Sequence, residues 1–149
     1  MDLQQLLKTY FTENKLMQLA TVGTAGKPWL CNVYFVTDEN NNIYWTSARS
    51  RQHSREIHGN SDVAVTIVHD AEHKQALQIT GEASEVPLED VERVDALYSA
   101  KFGHKDRMTE IKADVPEGRA YWVVKPDSIF FWDEVNFPDA PKQEFNLET

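Results

Sequence analysis

A single cysteine, Cys31, stands in a chain of 149 residues, which excludes an internal disulfide framework. Its apolar neighbours suit a small buried hydrophobe better than a reactive thiol. Long hydrophobic runs are missing too. Nothing approaches the roughly 18 apolar residues of a spanning helix, and the opening MDLQQLLKTYFTENK has no basic segment followed by an apolar one. A cytoplasmic protein with no membrane association is expected. Basic residues are outnumbered, 15 against 24 acidic, for a net charge of −9. Nucleic acid and anionic membranes demand clustered Lys and Arg, so neither is expected as a partner, while a small anionic ligand stays open. No repeat or low-complexity block occurs, and the length suits a single domain over 1–149.

Periodicity organises what is there. Leu3, Leu6, Leu7, Tyr10 and Phe11 line one helical face. The pattern then changes to strands over Met17 to Val22, Trp29 to Thr37 and Ile43 to Ser47, separated by turns at Gly23 to Pro28 and Asp38 to Asn42. A short helix over Gln52 to His58 ends at Gly59 and Asn60. Strands follow at Val63 to Val68 and Ala76 to Val86, joined by the loop His69 to Lys74, with Gly81 as a bulge or bend point. Pro87 to Phe102 is helical and stopped by Gly103, and Lys105 to Gly118 reads as a loop. Arg119 to Val124 is a sixth strand, broken at Pro126-Asp127 before Ser128 to Trp132 resumes, and the tail 136–149 runs extended across the surface or a partner subunit. Links this short forbid parallel crossovers, so an antiparallel sheet of six or seven strands is expected, closed into a small barrel with flanking helices: an α+β, mainly β fold.

The most cation-dense stretch is YWTSARSRQHSREI, Tyr44 to Ile57. It lies at a strand end and a helix start, where unpaired N–H groups and the helix dipole favour an anion. Ser50 is placed to cap the helix, Arg51 offers a planar fork for phosphate oxygens, Thr46 and Ser47 add hydroxyls, and His53 is a further donor. The competing reading is a solvated turn whose arginines pair with surplus carboxylates. Elsewhere, His69 and His73 sit in a hairpin loop, so no metal site is expected. The aromatics suit core and subunit interface, Glu89, Asp90, Glu92 and Asp95 form a solvated face, and no nucleophile triad or Gly-rich phosphate loop stands out.

Taken with its surroundings, LATVGTAGKPWLCNVYFVTDENNNIYWTSARSRQHSREIHGNSDVAVTIV, Leu19 to Val68, resembles the FMN-binding split-barrel family that includes pyridoxamine 5'-phosphate oxidase and its oxidase-like and general-stress relatives. ALQITGEASEV, from Ala76, and YWVVKPDSIFFWDE, from Tyr121, extend the likeness to Glu134. The resemblance implies a split barrel and a homodimer with the cofactor at the subunit interface. It places Thr46, Ser50 and Arg51 on the FMN phosphate, with Ser47 and Gln52 beside them. Asn32, Val33, Tyr34 and Trp45 would meet the ring, and Trp132 would cover it. Gln52 stands where the oxidases commonly carry Lys, a loss that Arg49 or His53 would have to offset. Leu30 to Val36 lacks the basic residues of true pyridoxamine phosphate oxidases, and the late Arg-x-His signature is absent, so that reaction is not expected. What the resemblance implies is an FMN-binding flavoprotein, an oxidoreductase acting on an undefined small-molecule substrate. The alternative is a non-catalytic protein that binds a flavin, haem or a deazaflavin on the same scaffold. Haem would need an axial ligand from His53, His58 or His104.

Overall fold

The first helix, α1, spans Leu3–Glu13; the Asp2 carboxylate accepts from the Gln5 N–H as its cap, and Leu7, Tyr10 and Phe11 are its buried face. The computed structural model describes residues 1–103, 111 and 118–147. Eight strands follow α1: β1 (Leu16–Val22), β2 (Pro28–Tyr34), β3 (Val36–Thr37), β4 (Ile43–Ala48), β5 (Asp62–Asp70), β6 (Gln75–Glu85), β7 (Arg119–Asp133) and β8 (Lys142–Phe145). Helix α2 (Gln52–Gly59) separates β4 from β5, and α3 (Leu88–Phe102) follows β6.

All pairings are antiparallel, in the order β2-β1-β5-β6-β7-β4-β3, with β8 added to β7. Strands β2 and β3 are consecutive in the chain, separated by Phe35, yet stand at the two ends of that order. The chain itself thus brings the sheet round into a half-barrel, flanked by helices. Among the described residues β2 has β1 as its only ladder neighbour, so one edge of β2 carries unpaired main-chain donors and acceptors.

Three sequence expectations need correction. The strand expected over Trp29 to Thr37 is two, β2 and β3, divided at Phe35. Pro126-Asp127 does not end a strand: β7 runs unbroken, with Thr80 opposite Ser128 and Gly81 opposite Pro126, so Asp127 is the extra residue of a bulge. The bulge lets a residue without an N–H stay in the ladder. Gly81 is required there because a Cβ would run into the Lys125 carbonyl. The tail is not merely extended either, because β8 pairs Ile129 to Trp132 with Lys142 to Phe145 and makes an eighth strand. Most of the loop expected over Lys105 to Gly118 lies outside the described residues; Ile111 is helical and buried.

Alternation along the strands divides the side chains between two faces. The inner face joins Met17, Leu19, Val65, Ile67, Leu77, Ile79, Ile129 and Phe131 with α1 in the main core. Trp45 and Trp122, both fully buried, lie ring over ring at 6.4 Å within it. Each buried aromatic of this kind is worth about 3 to 5 kcal/mol on truncation to Ala. A second core under α3 gathers Val91, Val94 and Tyr98 with Tyr44, Tyr121 and Val123. On the opposite sheet face Leu16, Leu30, Tyr34, Val68 and Trp132 are exposed, a broad apolar surface that no described residue covers.

Candidate functional site

The corner between β4 and α2 is built around Ala48. Its carbonyl accepts from the Arg51 N–H at 3.1 Å and from the Ser54 hydroxyl at 2.8 Å, which turns the chain from strand into helix. Arg51, not Ser50, is the cap residue of α2, and no side chain caps the helix. Ser50 lies one position too early to cap and is exposed. The start of α2 is therefore open to an external acceptor.

Around this corner the polar side chains divide into those already engaged and those not. Ser47 turns inward, its Oγ 2.7 Å from Nε2 of the buried His53. Burial first, and then the charge of Arg51, lower the His53 pKa, so the imidazole is neutral near pH 7. Arg49 is clamped by Glu85 through two bonds, Nε to Oε1 at 2.6 Å and Nη2 to Oε2 at 3.2 Å. Neither Arg49 nor His53 can therefore offset the missing lysine, contrary to expectation. Gln52 donates to Oε2 of Glu56 at 3.0 Å, and Thr21 donates to Oε1 at 2.7 Å. Those bonds, Thr21 first, hold the Glu56 carboxyl below its usual pKa. The same carboxylate lies so close to Gly23 that a Cβ there would meet Oε2 at 2.5 Å. Glu56 thus docks the β1–β2 hairpin against α2 and leaves Gln52 little freedom. The cleft beside them holds about 580 Å³, bounded by Val22 to Thr24 and the Gln52, Arg55 and Glu56 side of α2.

Arg51 is exposed, and among the described residues its side chain makes no hydrogen bond or ion pair. Thr46 lies on the face of β4 opposite to Ser47, where its hydroxyl is 3.5 Å from Nη1 of Arg119. Sequence inspection had no means of finding Arg119, because it reaches the corner only through the pairing of β4 with β7, which sets it across from Ala48. With Arg51, Ser50, Thr46, Arg119 and the uncapped helix, the residues present fit a phosphate group.

The expected ring-binding residues are less concentrated. Asn32 is on the exposed sheet face, its Oδ1 accepting from Gln18 at 2.9 Å, and Tyr34 is exposed beside Phe102, ring centres 5.5 Å apart. Val33 points the other way, against the main core. Trp45 departs furthest from expectation: its side chain is wholly inside that core and cannot reach a ring in a surface groove. What β2 does offer a planar heterocycle is the unpaired main-chain edge. Trp132 stands on the exposed face, opposite Lys142 of β8.

A sequence model of the pyridoxamine 5'-phosphate oxidase family matches residues 3–133. The chain belongs to this family. No curated protein matches it. Among solved structures, this family member is similar to the haem storage protein HutZ from Vibrio cholerae, at 20% identity over 89% of this chain and 97% of that one, with a TM-score of 0.70. It is also similar to General Stress Protein 26 from Bacillus anthracis str. Sterne, at 20% identity over 88% and 94% of the two chains, TM-score 0.65. A third likeness is to Atu2129 of Agrobacterium tumefaciens, of unknown function, at 15% identity and TM-score 0.70; the match covers 86% of this chain and spans only 55% of that longer one. Identities this low speak to the shared fold. No helix among the described residues is long and apolar enough to cross a membrane.

Proposed function

We propose that this family member is a homodimeric flavoprotein that holds FMN by its phosphate at the β4–α2 corner and uses it in a two-electron redox reaction on a small organic molecule. The observation that carries the reading is Arg51: an exposed guanidinium without a carboxylate partner among the described residues, at the head of a helix with no side-chain cap, in a chain with 24 acidic residues. A structural arginine in so acidic a protein would be expected to find a carboxylate.

In this reading Arg51 and the first N–H groups of α2 bind the phosphate, with Ser50 and Thr46 as hydroxyl donors. The free edge of β2 at Asn32 to Tyr34 orients the ring through main-chain groups; Trp132, on the exposed sheet face, lies at the opposite end of the 15-residue β7 from Arg119, so the cover expected from it would have to come from a second copy. That face is also where a second copy would sit, which would exclude water from the ring. Bound FMN would accept or donate hydride at its own N5, and no side chain of this chain is needed as acid or base. Purified protein titrated with FMN and followed by visible absorbance tests the cofactor; a spectrum and fluorescence unchanged from free FMN would reject it. Light scattering of wild type and Ala64→Glu tests the dimer. Ala64 is exposed at the centre of the sheet face, so the variant should become monomeric while staying folded.

Haem is the second reading, favoured by the likeness to a haem storage protein. Of its three expected axial ligands, His53 is bonded to Ser47, and His104 lies outside the described residues. His58 is exposed, its ring edge-on to Trp122 at 5.4 Å and its Nε2 3.9 Å from Glu85, and of the two described candidates it is the one that could bind iron without breaking the corner. A Soret band on haem titration, lost in His58→Ala, would favour this reading over FMN.

A further inference from the structure

We infer that Arg119 is a phosphate-binding residue of this corner, supplying from β7 the second cation that Gln52, in place of the family's lysine, does not. The inference rests on the flavin reading above and says which residue completes its phosphate site.

Three observations converge on it. First, the charge at the corner is short by one. A phosphomonoester carries close to two negative charges, yet Arg49 is committed to Glu85, His53 is neutral, and Gln52 is bonded to a carboxylate. At the head of the helix Arg51 is left, while Arg55, one turn further on, acts on the Glu56 carboxylate. Second, Arg119 is half-buried and bonds to the Thr46 hydroxyl at 3.5 Å, with no ion pair among the described residues. A guanidinium held partly out of water, with no counter-charge among the described residues, gains from an arriving anion. Third, the position is rigid and adjacent. Arg119 is paired with Ala48, the Arg49 N–H donates to the Gly118 carbonyl at 3.0 Å, and the Trp122 indole N–H donates to the Ser47 carbonyl at 3.1 Å. Ala48 is also the residue whose carbonyl accepts from the Arg51 N–H. The backbone of Arg51 and the strand position of Arg119 therefore meet at one residue from two elements, with the Thr46 hydroxyl beside the Arg119 guanidinium. A planar fork held at both ends of its strand pairing can meet two phosphate oxygens with little ordering left to do.

The experiment compares FMN with riboflavin, which has the same ring and no phosphate, in wild type, Arg119→Ala and the double variant Arg119→Ala with Gln52→Lys. Arg119→Ala should weaken FMN on the order of tenfold and leave riboflavin unchanged. The double variant should recover roughly threefold of that loss, since the lysine returns a cation from the helix side that Glu56 partly offsets. Should Arg119→Ala prove unfolded by thermal melting, Arg119→Lys and Arg119→Gln make the same comparison, with FMN retained in the first and weakened in the second. Equal losses for FMN and riboflavin, or no loss for either, would overturn the inference while the flavin reading stands. Wild type that takes up neither ligand would overturn both.

Discussion

Two polar clusters in this molecule are built on opposite principles. Where α1 meets the end of β7, the fully buried Asp133 accepts from Tyr10 at 2.8 Å, Gln75 at 3.2 Å, the N–H groups of Val135 and Asn136 at 3.0 and 2.9 Å, and the Asn136 side chain at 2.7 Å. At the β4–α2 corner, Arg51 and Arg119 form no ion pair among the described residues, and the helix has no cap. The first cluster is satisfied from within; the second, among the described residues, is left to solvent or to a ligand. Structural polar groups in a folded protein find their partners, so a cluster that has not is where a ligand is to be sought.

The comparison can be broken most severely at Asp133. Asp133→Ala leaves several donors buried without an acceptor and should cost about 3 to 5 kcal/mol in urea unfolding, while FMN affinity of the remaining folded protein stays the same. The pH dependence has a definite sign. Burial by itself would raise the Asp133 pKa, but the bonds from Asn136, Tyr10 and Gln75 outweigh it and bring it below the ordinary value. A carboxyl lowered in the folded state adds stability above its unfolded pKa, and that stability disappears as pH falls through the folded value. Acid unfolding of Asp133→Asn should accordingly begin from a lower baseline and show a shallower loss.

Arg51→Ala is the converse change, and should weaken FMN by roughly 1.5 to 3 kcal/mol with an unaltered melting temperature. An unchanged affinity would return Arg51 to the solvated-turn reading. Smaller is the effect of Gln52→Lys in the wild-type background. The new ammonium lies one helical turn from Glu56, which takes part of its charge, so FMN should tighten by roughly threefold and no more. Smallest is Ser50→Ala, whose effect on the melting free energy should stay under about 0.5 kcal/mol, whereas a capping serine would cost about 1 kcal/mol.

Local signals read correctly where the physics is local. The spacing of Leu3 to Phe11 predicts α1, the turns expected at Gly23 to Pro28 and Asp38 to Asn42 are found, the first ending one residue earlier because Pro28 opens β2, and Gly103, with φ of 71°, stops α3 in the left-handed conformation that glycine favours. Pro126 misled because the bulge that accommodates it depends on Gly81 in another strand. Ser50 misled because capping changes with a shift of one residue. Arg49 and Arg51 look equivalent in sequence, yet Glu85, which engages Arg49, lies 36 residues further on. Trp45 reads as a strand aromatic near the ligand, and only the alternation of β4 against Trp122 turns its ring into the core.

From sequence alone came the antiparallel, mainly β fold class, the placing of the cation-rich stretch between a strand and a helix, and the likeness to a flavin-binding family. These follow from periodicity and residue order, which short-range sterics and hydrophobic burial translate directly into structure. Which arginines remain available, that Gln52 serves Glu56, and that Arg119 reaches Thr46 were decided by tertiary structure alone. Charges cancel or persist according to what lies within about 4 Å of them, and in this fold those neighbours come from strands far apart in the chain.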